Sequence, residues 1–569
     1  MACVSCYPSR KNKCENRYHN DPQNRPDIVN DNISNHSVAH NTSIEVPLGN
    51  ADSASPLMKD LMSFKRGSVL DHIPKASRIR AATAFNNIIK SVNESDSIEE
   101  WRKLLRFAPT CFKKPKRGGR GKRQPTLSTI VNRQIDAFLS DPCAAYESTA
   151  RSNRLNPKKS TDDDMRAKLV AKKLANSDVK GAVRILSSND TLLPADLDTL
   201  AQLRSKHPAL HPHTQIPTAP EQEEVASALQ LTESQVAKAI QSFPGGSAGG
   251  CDLLLPQHLK DMIPKQSAEP GARLLSSITI LCNKMLRGEI IQEALPFVYG
   301  ASLIAFSKPN GGIRPIAIGN TLRRLTAKAA ANSVREASKA LLSSHQLGVA
   351  MPGGPEAIVH SARSFCDSNL HSANPVLFLK IDFQNAFNSV RRDKLLDVIR
   401  SEMSSLFPFL YQCYSSPSHL FFNDSSLLSA EGVQQGDPLG PLCFSLTIHG
   451  MISKLSSELN IWYLDDGTLA GKPEDVCTDF EAILAAQDLL GLKVNMNNCE
   501  FSILGAQSDS RDSLLASFRD RYPDAKFVAP EDLCLLGTPL PHKALDPELK
   551  SLSQCFLVYL LPLRDPRSP

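Results

Sequence analysis

Apolar residues along this chain fall into short runs bounded by turn formers, and the spacing within each run predicts its element. Val376 to Ile381 is an apolar stretch that reads as a buried strand ending at Asp382. From Ser389 the period changes to that of a helix, with Leu395, Val398 and Ile399 on one face. Ile461 to Leu464 and Thr468 to Ala470 read as the strands of a hairpin that turns at Asp466-Gly467. Leu303 to Phe306 and Ile313 to Ile318 form a second hairpin pattern around the Asn310-Gly311 pair. A further helix starts at Pro441 and carries Leu442 and Leu446 inward. Leu61 to Leu203 reads as short helices around Trp101 to Leu105 and Val179 to Leu186, and the first sixty residues, rich in Asn, Asp, Ser and His, read as disordered.

Candidate chemistry sits where apolar runs meet acids. Tyr463-Leu464-Asp465-Asp466 places two adjacent carboxylates at a tight turn behind Ile461-Trp462. Adjacent carboxylates repel each other and resist burial, so a cation is the natural compensation. Asp382 adds a third acid at the end of another strand. Carboxylates delivered from separate strands are what two Mg²⁺ ions roughly 3.5–4 Å apart require. Taken singly, each has a plainer reading: Asp466-Gly467 as a surface turn and Asp382 as a helix cap. Lys308 and Arg314 flank the second hairpin's turn, where two solvated cations are the plain alternative.

These segments, in this order, resemble the reverse transcriptases of non-LTR retrotransposons from about Gly245 to Pro539. Phe378 to Asn388 resembles the first palm motif, Gly432 to Pro441 the second and Tyr463 to Asp466 the third. The resemblance implies an α+β fold, a right-hand polymerase with fingers and palm behind a mostly disordered or helical N-terminal extension. It implies catalytic Asp382, Asp465 and Asp466, and a metal set of Asp382, Ile381, Asp465 and Asp466 holding two Mg²⁺, with Mn²⁺ as the alternative ion. Lys308, Arg314, Phe387, Gln435, Gly436 and Tyr463 become the nucleotide-binding residues, with Phe387 screening the sugar 2′ position. Gly245 to Asp252 resembles the segment before the fingers, against a flexible Gly-Ser linker. Leu535 to Thr538 resembles the primer-grip turn. One position departs: Asn498 stands where the family usually carries Lys, and an amide cannot act as a general acid, a role worth about 10²–10⁴ in rate. Either Lys493 substitutes or catalysis is slower.

Composition adjusts this picture in a few places. With 65 basic and 59 acidic residues among 569, net charge is +6, and Lys113 to Arg123 alone holds seven cations and no acid. Removing those seven from +6 leaves −1. Affinity for nucleic acid must then come from local placement of cations; the arm suits phosphate contact, nuclear import or a plain solvated run. The 14 cysteines show no disulfide framework, and there is neither a signal peptide nor an apolar run of eighteen residues. Cys3, Cys6, Cys14 and His19 lack the closing His of a zinc finger. The expected organisation is 1–60 disordered with a weak zinc motif, 61–215 a helical extension with the basic arm 113–123, 216–372 fingers, 373–540 palm and 541–569 an incomplete thumb. Only 32 residues follow Gly537, fewer than three average helices of ~11–12 residues, so the chain reads as a fragment.

The expected function is an RNA-directed DNA polymerase that extends a DNA 3′-end on an RNA template. Its partners are then RNA template, DNA primer or target, dNTP and a separate endonuclease, with no membrane, in the nucleus or cytoplasm and not secreted. The alternative is an inactive retrotransposon-derived nucleic-acid-binding relic. An RNA-templated RNA polymerase shares the palm, and the bulk of Phe387 argues against it.

Overall fold

The computed structural model describes residues 57–58, 60–61 and 68–541, apart from 96, 116–124, 152–161, 176–177, 188–190, 265–268, 309–310 and 506–508. Most of the basic arm, the four candidate zinc ligands and the segment assigned to the thumb lie outside the described residues. Helices pack beside two principal sheets whose strands pair mainly antiparallel, as an α+β class requires.

The region assigned to the palm is built on five strands: β3 (Val376–Ile381), β6 (Leu459–Tyr463), β7 (Asp466–Gly471), β8 (Glu500–Leu504) and β9 (Lys526–Phe527), in the order β6-β7-β3-β8-β9. β3 is central and antiparallel to both neighbours. A strand paired on both edges and covered on both faces needs apolar residues without alternation, and Leu377, Phe378 and Leu379 are all fully buried. Lys380 is the exception, and it pairs with Glu500 across the β3–β8 ladder.

After β3 the chain does not enter its helix at Ser389. A short turn, Ala386–Ser389, ends there, and the helix runs Arg392–Glu402. Val390 and Arg391 are extended because their backbones are used elsewhere: the Val390 carbonyl accepts from the Gly432 N–H, and the Arg391 N–H donates to Leu490. Leu395 and Ile399 still face the core.

The second sheet, which holds the hairpin assigned to the fingers, has the order β2-β1-β4-β5. β1 (Ala301–Ser307) and β2 (Ile313–Gly319) form the expected hairpin, whose residues 309–310 lie outside the described set. Burial alternates along both, with Ala301, Leu303, Ala305, Ile313 and Ala317 inward, so one face is packed and one looks outward. β4 (Ser418–Phe422) and β5 (Ser425–Ser429) complete this sheet although they lie within the stretch read as palm. Helix Leu197–Lys206 packs Leu200 and Leu203 onto the same core.

Helices Arg78–Glu94, Ile98–Cys111 and Leu127–Ser140 of the extension bury Phe85, Phe107 and Phe138 together, and Arg78–Glu94 docks on helix Glu269–Leu286. Gly245 to Asp252 is packed too: a Cβ on Gly250 would lie 2.5 Å from Asn320 Cα, which is not the setting of a free linker. Among the described residues no helix is long and apolar enough to cross a membrane.

Candidate active site

Sheet register brings the three acids together. β3 and β7 pair with Ile381 opposite Gly467, so Asp382 and Asp466 come to the same end of the palm sheet. Tyr463 pairs with Asp466, which makes Leu464-Asp465 the two-residue turn, two positions earlier than Asp466-Gly467. Gly467 serves packing instead, since a Cβ there would stand 2.6 Å from the Trp462 ring. The turn needs a left-handed residue, and Leu464 supplies it with φ 59°. A branched side chain is strained there, and fully buried Gln346 holds it: its Oε1 accepts from the Leu464 N–H at 2.7 Å and its Nε2 donates to the Leu464 carbonyl at 3.1 Å.

The geometry leaves Asp465 electrostatically frustrated. Burial first, then Asp466, then Asp382 push its carboxyl up to about 7, with Lys308 acting the other way. Asp382 is tied differently. Its carbonyl accepts from the Asn495 N–H at 2.7 Å, and its Oδ2 accepts from Asn495 Nδ2 at 2.9 Å and Asn498 Nδ2 at 2.8 Å. The position that departs from the family pattern therefore touches a candidate catalytic acid, whereas Lys493 is exposed and gives its carbonyl to the Gln384 N–H.

Across from the acids stand cations. Lys308 leaves the fingers hairpin at the end of β1, and its ammonium is made less basic first by desolvation, then by Arg314 and Lys206, while Asp382 and Asp465 oppose them. Arg314 lies on the outward face of β2. Lys206 has no sequence motif around it. It enters because Leu193 and Thr191 hydrogen-bond to β1 at Ala305 and Ser307, and the Lys206 carbonyl accepts from Asn385 Nδ2 at 2.8 Å. Only the tertiary path of residues 191–206 reveals it.

The remaining residues singled out in the sequence surround these groups. Phe387 is buried and stacks on Phe444 at 4.7 Å between centroids. Its carbonyl accepts from the Val433 N–H at 2.7 Å, so the second palm loop lies against the first. Gln435 gives its carbonyl to the Ala317 N–H at 2.8 Å, and Gly436, with φ 135°, approaches Ala317 so closely that a Cβ would sit 2.2 Å from the carbonyl oxygen. What demands glycine here is strand β2. Tyr463 is buried in the β6 ladder. Ile381 is a core side chain opposite Gly467, so only its carbonyl oxygen is chemically able to meet a cation.

A buried network that sequence spacing does not reveal anchors this loop. Arg323, 1% exposed, donates from Nη2 to Asp437 Oδ2 at 2.7 Å and from Nη1 to Gln434 Oε1 at 2.6 Å and to the Tyr299 carbonyl. The Tyr414 hydroxyl donates to the same Asp437 oxygen at 2.7 Å. Nothing in the pattern around Arg323 and Asp437, 114 positions apart, announces the pair.

Chemically, three acids at one sheet end facing cations suit a polyanion bound through divalent metal. The donor set is all oxygen, as Mg²⁺ prefers, and the charge crowding on Asp465 is what a cation would relieve. Among the described residues no three acid, His or Cys side chains lie as a group already close enough to hold a metal ion.

Residues 306–532 match the family model described as reverse transcriptase (RNA-dependent DNA polymerase). The chain is 25% identical over 286 residues to the retrotransposable element SLACS 132 kDa protein of Trypanosoma brucei gambiense; the aligned part is 48% of this chain and 23% of that protein, under a quarter of its length. Among solved structures, apo telomerase from Candida tropicalis, truncated from its C-terminal domain, aligns over 64% of this chain and 89% of that one, at 12% identity and a TM-score of 0.29.

Proposed function

We propose, from the premise that residues 306–532 constitute a reverse transcriptase domain of the non-LTR retrotransposon type, that the chain is an RNA-directed DNA polymerase adding nucleotides to a DNA 3′-end on an RNA template. The observation that carries this is the gathering of Asp382, Asp465 and Asp466 at one end of the palm sheet, opposite Lys308.

Asp382, Asp465 and Asp466, with the Ile381 carbonyl, are the groups that would hold two divalent ions. When bound, such ions activate the 3′-hydroxyl and neutralise the leaving pyrophosphate. The chain's own residues then have distinct tasks. Lys308 and Arg314 bind the triphosphate oxygens, offsetting charge that phosphoryl transfer concentrates there. Phe387, braced by Phe444, stands beside the sugar and excludes a 2′-hydroxyl. Gln435 and Gly436, docked on β2, set the floor under the nascent base pair. Gln346 keeps the Leu464 turn closed so that Asp465 is presented rather than withdrawn.

The substrates on this reading are an RNA template, a DNA primer and dNTP, with a separate endonuclease supplying the 3′-end, in the nucleus or cytoplasm. Asn498 favours a second reading, a nucleic-acid-binding relic without activity, because an amide there cannot donate a proton to pyrophosphate. Primer extension on an RNA template with Mg²⁺ decides between them. Synthesis by the parent chain that disappears in Asp465→Asn supports the polymerase, and equal inactivity of both at intact RNA binding supports the relic.

A further inference from the structure

We propose that Asn495 and Asn498 are positioning residues for Asp382, whose two side-chain amides grip one carboxylate oxygen and fix the plane in which the group meets a divalent cation. This rests on the reading of Asp382 as a metal ligand.

The grip is built into the backbone. Segment 493–495 is zipped to 382–384: the Gln384 N–H donates to the Lys493 carbonyl at 2.8 Å, the Asn495 N–H donates to the Asp382 carbonyl at 2.7 Å, and Phe383 bridges Val494. The chain then makes a single 3-10 turn, Met496–Asn498, closed by the Asn498 and Cys499 N–H groups on the Asn495 carbonyl at 2.8 and 3.0 Å. Asn495 caps this turn and Asn498 ends it, and both present their amides toward Asp382. Both Nδ2 groups reach Asp382 Oδ2, at 2.9 and 2.8 Å.

Donor chemistry explains why amides suit this position. A strand-end aspartate has two free torsions, and two hydrogen bonds to one oxygen remove both. Outer-shell donors of this kind orient a ligand and commonly contribute 10–100-fold to metal affinity. A lysine at position 498 would also donate, yet its charge would cancel that of Asp382 and compete with the cation it is meant to receive. The departure from the family's lysine at Asn498 thus has a use of its own: orientation without neutralisation.

The test uses the full chain and Mn²⁺ as probe, with free Mn²⁺ followed by electron paramagnetic resonance. Asn498→Ala, Asn495→Ala and Asn498→Leu, the last close in size but without a donor, are compared with the parent and with Asp382→Asn. Asn498 is half-buried at the end of its turn, and thermal melting identifies the variants that retain the parent's fold. Each of these should bind Mn²⁺ about tenfold more weakly. The Mg²⁺ half-saturation of primer extension should rise by the same factor, and the dNTP KM at saturating Mg²⁺ should stay unchanged. Asn498→Lys should weaken Mn²⁺ binding further. Unchanged Mn²⁺ affinity in the asparagine variants, with Asp382→Asn still impaired, overturns the positioning role alone. Affinity indifferent to Asp382→Asn as well overturns the metal assignment beneath it.

Discussion

Asp437 and Asp465 are acids of two loops whose surroundings treat charge in opposite ways. Asp437 is met by Arg323, the Tyr414 hydroxyl and the Leu439 N–H, all within 3.0 Å. Asp465 has two acids for neighbours, and burial and repulsion together push its carboxyl up to about 7. Asp252 shows that burial alone can do as much: it too is pushed up to about 7, mainly by desolvation, with no second acid against it. The raised value therefore does not mark a site by itself. What sets Asp465 apart is its crowding with Asp382 and Asp466, a repulsion that a bound cation would relieve. Asp437 is in turn a structural acid that locks the Gln434 to Pro438 loop to Arg323 and Tyr414.

The sharpest break of this contrast is functional. Asp465→Asn should lower Mg²⁺-dependent primer extension by at least about 10²–10³-fold, the usual effect of removing one electrostatic stabiliser from an active site, with RNA binding in filter or anisotropy assays nearly unchanged. Asp437→Asn should do the reverse: destabilise the fold by about 3–5 kcal/mol, since it strands buried Arg323, as chemical denaturation would report. Destabilisation by both, or loss of synthesis without destabilisation by both, would erase the distinction.

Titration sharpens it. The folded value of Asp465 near 7 lies above the ordinary carboxylate value near 4, so between these the native state binds the extra proton. Stability in chelator should therefore fall as pH rises from about 4 to about 7. In Asp465→Asn this component of the melting profile should flatten, whereas a profile as steep as the parent's would assign the effect elsewhere.

Smaller effects probe the periphery. Phe387→Val should lower discrimination against ribonucleotides about tenfold, the scale of a few methylenes in a pocket, read from competing dNTP and rNTP incorporation; undiminished discrimination would leave Phe387 as a packing partner of Phe444. Deleting Lys113 to Arg123 should flatten the salt dependence of RNA binding by about 0.7 in log–log slope for each phosphate the arm neutralises, while extension at saturating template persists. An unchanged slope would leave the arm without a part in binding.

Local patterning carried much of the element order. Strand Val376–Ile381, the two hairpins and the helix after Pro441 follow from periodicity and turn residues, and Asp382, Asp465 and Asp466 stood out as acids ending apolar runs. Boundaries went astray where distant backbone took over. The helix after β3 starts late because Gly432 and Leu490 engage Val390 and Arg391, and the acidic turn falls on Leu464-Asp465 because buried Gln346, 118 positions away, stabilises a left-handed leucine.

What the sequence determined by itself is the chemistry on offer: which acids, cations and aromatic residues exist and which short elements carry them, since these depend on neighbours a few positions apart. Tertiary structure alone decided which of them meet. Register between β3 and β7 joined Asp382 to Asp466, the path of residues 191–206 brought Lys206 toward Lys308, and a 3-10 turn laid Asn495 and Asn498 on Asp382. Hydrogen bonds and charge pairs act over a few ångströms of space, and separations of roughly a hundred residues along the chain leave no local trace of them.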